Sequence, residues 1–431
     1  MNKVFLSFLG MGSLNKETGK FAYSKADYGI DNKISSKTEF VQVAEIELLG
    51  ASSFDYLIII ATERSHDYHY EKLKTQLENL GAEKIVPIII DEDMSPEGQW
   101  RWFEKILNNI GYGDQLTIDL THGYRSIPII FSTAINFLQK ARNITLNAVY
   151  YGAYDKIKDM GYAPIINMKD FYIINEWAEA VSRLIEDADA RKMADVSDRT
   201  AEFQAGELND EEIIHAFEDL TNTIRNVDIH RVAEKSNTAI NLIKEKENSA
   251  SKTGKILLKL VIDKFASLAT GGPPNGKYDR EYFLLQLEII KLLLEHKLFM
   301  QAYTVMREFI ASVGLIEIKK AAALTSKGRN QRFKGEVFVN MFQFPEDGWN
   351  FRQDSKETVK KLKPYYQKLK RLGIEPILRS FTSELAEYRN GFDHAWTRKP
   401  EAPNNVEEKG QIFFDKLNEV VNLLEKNGVL N

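Results

Sequence analysis

Arg389 and His394 close the stretch Arg-Asn-Gly-Phe-Asp-His, five positions apart. On a helix that spacing leaves the two side chains within about a turn and a half of each other. The pair sets a permanent cation beside an imidazole that titrates near neutral pH, with the amide of Asn390 next to the arginine. These are the groups that cleave RNA without a metal: arginine holds a phosphate and its developing charge, and histidine moves a proton. The competing use of the same residues is a solvated helix face on which Arg389 pairs with Glu384 or Glu387 and His394 caps the end. The pattern Arg-Asn-x-x-x-His also occurs a second time, beginning at Arg225 and ending at His230, inside an amphipathic stretch.

Further polar groups fall where apolar runs end. Asp-Leu-Thr-His-Gly-Tyr-Arg-Ser-Ile-Pro over residues 119–128 supplies Thr121, His122, Gly123 and Arg125 just before a new helix begins. Backbone amides and a helix amino terminus there suit phosphate oxygens. Gly10, Gly12 and Ser13 follow one apolar run, and Thr62 with Arg64 and Ser65 follows another. Any one of these loops alone reads as helix capping; three at strand ends favour an anionic ligand. Gly-Met-Gly lacks the third glycine of a dinucleotide fingerprint. His66 and His69 have no cysteine and no third ligand in view, so they read as exposed loop histidines and no metal site is expected.

Substrate contacts need basic surface. Residues 319–334 hold six basic and no acidic side chains. The segment reads as a loop from Thr325 onward, with Lys327, Arg329, Arg332 and Lys334 as RNA contacts. Residues 356–371 add seven basic residues against one acid, interleaved with Tyr365 and Tyr366. Phosphate tracking with base stacking is one use of such a segment, and a solvated basic helix is the other.

The elements that must position these groups divide into two kinds. Residues 4–9, 56–62, 85–90, 115–120 and 145–151 are short apolar runs separated by helical stretches at 68–80, 96–110 and 127–141. Continuous apolar strands of this length mean a parallel sheet covered on both faces, a Rossmann-like α/β domain whose ligands sit at the carboxyl ends of the strands. Beyond residue 170 apolar residues recur at helical spacing through to 427, broken most clearly at 271–276. The expected organisation is an α/β domain over 1–170, a helical connector over 171–250 and an all-α domain over 251–431.

Composition agrees with a globular protein of two or three domains: 431 residues, 43% hydrophobic and 11% aromatic. The net charge of −5, from 57 basic and 62 acidic residues, leaves nucleic-acid binding to a local patch. The absence of cysteine excludes disulfides, thiolate zinc sites and cysteine nucleophiles, and it fits a reducing cytoplasm. The apolar start at residues 3–9 lacks a small-residue cleavage site, and no run is long enough to span a bilayer.

A strand ending in Asp-Leu-Thr-His-Gly-Tyr-Arg-Ser-Ile-Pro on an α/β domain, followed by a helical domain carrying Arg-Asn-x-x-x-His near its end, resembles the CARF–HEPN ribonucleases of type III CRISPR systems. That resemblance implies homodimers, or higher homo-oligomers, whose paired CARF domains bind a cyclic oligoadenylate. Binding switches on a HEPN dimer that cuts single-stranded RNA, with no cofactor beyond the activator. It implies Arg389, Asn390 and His394 as the catalytic set and a 2′,3′-cyclic phosphate product. The loop from Thr121 to Arg125 maps onto a family motif; Gly10, Gly12, Ser13 and Thr62 are placed by strand-end position alone. The alternatives are a CARF sensor whose helical domain binds RNA or a partner without cutting, and a HEPN toxin free of messenger control.

Overall fold

The computed structural model describes residues 1–14, 19–93, 95–122, 127–199, 209–248, 250–269, 278–318, 326–397 and 403–430. For residues 127–130, 132, 198, 199, 318 and 326–331 it describes the backbone alone. The chain divides into two compact units, Met1–Asn175 and Glu176–Asn431.

In the first unit the apolar runs form strands β1 (Lys3–Leu9), β6 (Tyr56–Thr62), β7 (Ile85–Ile90), β8 (Gln115–Asp119) and β9 (Thr145–Gly152). β1 lies between β6 and β8, with β7 beyond β6 and β9 beyond β8, and every pairing among these five is parallel. Successive residues of β1 face opposite sides. Val4, Leu6 and Phe8 pack with Trp102, Ile106, Phe131 and Ile135 on one side, while Phe5 and Leu9 pack with Phe40, Ile46, Leu73 and Leu77 on the other. Helices α1 (Val41–Leu49) and α2 (Glu71–Asn79) thus cover one face, and α3 (Pro96–Asn108) and α4 (Ile127–Ala141) the other.

The sheet is larger than the apolar runs predict, and it is mixed. β10 (Ala163–Asn167) joins β9 antiparallel, β4 (Tyr28–Ile30) joins β10 parallel, and β5 (Lys33–Ile34) joins β4 antiparallel, giving eight strands. A separate hairpin pairs β2 (Ser13–Leu14) with β3 (Phe21–Ala22). These edge strands are two to five residues long, too short to show an alternation of their own. The helix expected from residue 68 is present and starts earlier: Glu63–Ser65 continues through a π-helical turn, His66–Tyr70, into α2.

The second unit is helical in its described residues: α5 (Lys169–Asp187), which crosses the division, α6 (Arg191–Arg199), α7 (Glu211–Arg225), α8 (Val232–Glu247), α9 (Lys252–Phe265), α10 (Arg280–Glu295), α11 (Phe299–Val313), α12 (Ser326–Gln343), α13 (Gln353–Arg371), α14 (Ile374–Asp393) and α15 (Val406–Lys426). No described helix is long and apolar enough to cross a membrane. Ser326 opens a helix, which corrects the loop expected there: Val337, Phe338, Val339, Met341 and Phe342 are buried and hold the segment as α12. Tyr365 and Tyr366 are core residues of α13 and not stacking platforms. The Tyr366 ring sits 5.2 Å from Phe342, and its hydroxyl donates to Glu375 at 2.8 Å.

Close approach of α11 and α12 depends on Gly314, where an added Cβ would lie 2.3 Å from Cγ of Phe338. Gly314→Ala should destabilise the protein by about 1–3 kcal/mol through overpacking. Its urea midpoint should fall with the slope unchanged; an unshifted midpoint would mean that Phe338 yields at no cost.

Candidate functional site

The chain runs β1, β6, β7 outward on one side of β1 and then returns to β8 and β9 on the other. The strand order therefore reverses between β1 and β8, and the crevice at their carboxyl ends is the place such sheets bind ligands. Three strand-end segments meet there at Tyr23, which follows the hairpin. Its ring lies 4.7 Å from His122, 5.2 Å from His69 and 5.6 Å from Phe40. Nε2 of His69 is 3.0 Å from the carbonyl of Met11, tying the segment after β6 to the segment after β1. His69 is buried, contrary to the exposed position expected for it; His66 is half-buried and stacks on Tyr70.

Beneath these rings lies a buried polar cluster. Asp119 accepts from the Ser7 hydroxyl at 2.6 Å and from the Thr121 amide at 2.8 Å, and the Thr121 hydroxyl donates to it as well. Burial still pushes its carboxyl up, and these three hydrogen bonds pull the other way. Gln42 on α1 donates through Nε2 to the carbonyl of Phe8 at 2.9 Å. Glu45, one turn further along, is fully buried, and burial with Asp119 nearby holds its carboxyl well above the usual carboxylate range.

The sequence-derived contacts fare differently here. His122 faces the crevice with its Nε2 buried and unpartnered. The Thr121 hydroxyl also accepts the Gly152 amide at 2.7 Å, so both its roles are in use. Thr62 and Ser65 cap one another across the first turn after β6. Gly12 has φ +72°, and a Cβ there would meet the Ala22 carbonyl at 2.6 Å, so glycine is needed to close the hairpin. Gly10 is half-buried and Ser13 is exposed on β2. Gly123 and Arg125 lie outside the described residues. Sequence reasoning missed Tyr23, Gln42 and Glu45; the one signal was a Gln and a Glu three apart inside the otherwise apolar stretch Val-Gln-Val-Ala-Glu-Ile.

In the second unit α14 carries its buried face on Leu378, Phe381, Leu385 and Tyr388 and ends at Asp393, with His394 as its cap. Ala395 and Trp396 take φ of 48° and 57°, which folds the Trp396 ring back onto Gly391. A Cβ at Gly391 would sit 2.2 Å from that ring. The hydroxyl of Tyr388 donates to Asn405 at 2.6 Å and Phe392 packs 5.5 Å from Tyr303, so the helix end is held on two sides. Arg389 pairs with Asp393 at 2.8 Å, not with Glu384 or Glu387, and contacts Asn390 at 3.4 Å. Asn390 and His394 are exposed, and the His394 imidazole has no partner among the described residues.

The other copy of the motif ends α7. Arg225 donates to the carbonyl of Asp187 at 3.3 Å and lies 3.9 Å from Asp189. His230 is half-buried, and burial lowers its pKa, with Arg332 reinforcing and Asp228 opposing. Among the expected RNA contacts, Arg332 is ion-paired with Glu308 and Lys334 is half-exposed, while the side chains of Lys327 and Arg329 are outside the description. On α13 Lys356, Lys360, Lys361, Lys370 and Arg371 are exposed. No group of three potential metal-ligating side chains gathers among the described residues.

No family model matches the chain. Over 262 residues it is 25% identical to the CRISPR-associated protein MJ1674 of Methanocaldococcus jannaschii, a match covering 46% of this chain and 41% of that protein. The chain spans less than half the length of that curated relative. Among solved structures, Enterococcus italicus Csm6 bound to cyclic hexa-2′-fluoro-hexa-dAMP is 9% identical, with 99% of this chain and 95% of that chain covered at a TM-score of 0.47.

Burial holds the His122 imidazole down at about 4, against about 6.5 in an unfolded chain. The unfolded state therefore binds the extra proton, and stability falls as pH drops from about 6.5 towards 4, a loss of up to about 2 kcal/mol by pH 5. Asp119 and Glu45, raised by burial, act in the opposite sense: they keep protons in the folded state and contribute stability that is lost as pH rises. Urea titrations at pH 7 and pH 5 should show His122→Gln losing about 1–2 kcal/mol less than the wild type on acidification. Parallel losses would show that His122 titrates alike in both states.

Proposed function

We propose that this chain is a CARF–HEPN protein, its first unit the CARF unit and its second the HEPN unit, and that it is a dimeric endoribonuclease of type III CRISPR antiviral defence. A cyclic oligoadenylate bound at the CARF unit switches it on, and the HEPN unit then cuts single-stranded RNA without a metal. The observation that carries the catalytic part is the end of α14, where Arg389 and the unpartnered His394 stand together at an exposed helix terminus. The messenger part rests on the Thr121 loop at the switch point between β1 and β8, on the CRISPR-associated relative and on the buried polar cluster in that crevice.

In the reaction the RNA 2′-oxygen attacks the adjacent phosphorus while the bond from phosphorus to the 5′-oxygen breaks. The products are a 2′,3′-cyclic phosphate and a free 5′-hydroxyl. Arg389 exchanges Asp393 for the phosphate and offsets charge in the transition state. Asn390, beside it, orients the phosphate. His394 takes the proton from the 2′-hydroxyl. A second imidazole is needed to return a proton to the leaving 5′-oxygen in the same step, and the partner's His394 supplies it across a two-fold axis. The exposed cations of α13, with Lys334, offer backbone contacts to the strand. Messenger binding must favour one arrangement of the HEPN dimer over another for the coupling to operate.

The test is cleavage of a fluorescent single-stranded RNA in EDTA, with and without cyclic tetra- and hexa-adenylate. Activity should require one ring, and His394→Ala should lower it by about 10²–10⁴-fold while the dimer stays folded. His230→Ala should stay near the wild type. Equal cleavage without the rings would leave an unregulated nuclease, and binding of a ring with no cleavage would leave a sensor alone.

A further inference from the structure

Among the described residues of the CARF unit, the buried side-chain atoms left without a hydrogen-bond partner are the Tyr23 hydroxyl, Oε1 of Gln42, both carboxylate oxygens of Glu45, and Nε2 of His122. All belong to the one cluster at the carboxyl ends of β1 and β8. Asp119 acts electrostatically on Glu45 and Tyr23, and the Tyr23 ring touches His122. Buried polar atoms without partners cost about 1–3 kcal/mol each, and a native fold keeps few of them without a reason. Gln42 and Glu45 are both fully buried, and at positions i and i+3 they share a face of α1.

We propose that Gln42 and Glu45 read an adenine base, the amide oxygen of Gln42 accepting from the exocyclic amino group and the carboxyl of Glu45 pairing with the same edge. This assignment rests on the messenger reading above and names the residues that select the base. The orientation of Gln42 is set by its Nε2, which donates to the Phe8 carbonyl and leaves the amide oxygen without a partner. That oxygen requires an N–H, which adenine supplies at N6 and hypoxanthine, with a carbonyl there, does not. Glu45 is raised by burial. As a neutral acid it offers one donor and one acceptor side by side, matching the amino group and the neighbouring ring nitrogen in the way a glutamine amide does. The cluster is closed in this conformation, so entry of a base parts the covering side chains, Tyr23 among them.

The experiment measures binding of cyclic tetra- and hexa-adenylate, and of the same rings carrying hypoxanthine, to the full-length protein by calorimetry, together with its melting temperature. The wild type should prefer the adenine ring by about tenfold or more, since sites built to hydrogen-bond a group reject the analogue lacking it. Gln42→Met and Glu45→Met should each weaken adenine-ring binding by about tenfold or more, and Gln42→Met should also bring the two rings towards equal affinity. Glu45→Met should also melt no lower than the wild type, because an apolar side chain replaces an unpartnered buried carboxyl. Wild-type affinity and preference in both methionine variants would overturn the assignment. Should Glu45→Met unfold, Glu45→Gln decides: it keeps a donor and an acceptor, so a retained adenine preference supports the assignment and an equal loss of both rings overturns it. Failure of the wild type to bind any adenine ring would overturn the messenger reading itself, and this assignment with it.

Discussion

Asp119 sits at the end of β8 with no exposure to solvent, and a carboxylate in that position must be surrounded by donors or give up its charge. The donors come from two directions. Ser7 reaches it from β1, and Thr121 turns back on it with both amide and hydroxyl. That turn carries the Thr121 hydroxyl to the Gly152 amide on β9, while the Leu120 amide pairs with the Tyr150 carbonyl at 2.9 Å. One buried carboxyl therefore fixes the ends of three neighbouring parallel strands. The direction in which the chain leaves β8, and with it the placing of His122 against Tyr23, follows from that clasp. Hydrogen bonds to a charged group contribute about 1.5–3 kcal/mol each, yet here they do not fully offset burial. The site is built around a group that the fold holds at some expense, as polar networks at ligand sites often are.

The second unit solves a different problem with apolar contacts. A helix end normally frays, and side chains placed there need an anchor to hold a fixed position. Tyr388, Phe392 and Trp396 supply it: the Trp396 ring lies 5.4 Å from Phe392 and 6.0 Å from Tyr388, over a glycine that has no side chain to obstruct it. Anchoring through these rings leaves Asn390, Asp393 and His394 to solvent. The contact between Arg389 and Asp393 is an exposed i,i+4 pair, weak enough at roughly 0.3–0.5 kcal/mol to be exchanged for a phosphate.

The parallel core was legible in the sequence because strands buried on both faces must be apolar throughout, and β1, β6 and β7 announce themselves in that way. The long helices of the second unit were legible from their periodicity. What the sequence did not reveal has common causes. Strands β2 to β5 are two or three residues long, too short to carry a pattern of their own, and β4 is placed by pairing with β10, far along the chain. The basic start of α12 reads as a loop because its first turns lack apolar residues, and packing of later ones decides the matter. Tyr365 and Tyr366 were read by their chemistry, whereas burial fixes their role. In the crevice, strand-end position pointed to His122, whose ring meets Tyr23 there. It could not distinguish Thr62 and Thr121, whose hydroxyls are consumed by local turns, from side chains with hydrogen bonds to offer. Gln42 and Glu45 enter from a helix set over β1 by Phe40, Val43 and Ile46 packing on Phe5 and Leu9, so no local pattern could bring them to the site.

The repeated Arg-Asn-x-x-x-His pattern separates a motif from a site within one chain. Both copies fall at the end of a helix, so local structure does not distinguish them. Packing does. Arg225 is committed to the carbonyl of Asp187 and lies beside Asp189, and the backbone carbonyl of Arg225 accepts from Gln301 at 3.5 Å. Burial lowers the pKa of His230, with Arg332 acting in the same sense. An imidazole held neutral can accept a proton but is poorly placed to donate one, and strand cleavage needs both roles near neutral pH. His394 makes no such commitment: its ring is exposed and its neighbour Arg389 is held by a contact that solvent already weakens. The fold uses the first copy as structure and leaves the second copy available, and availability is what chemistry on an external phosphate requires.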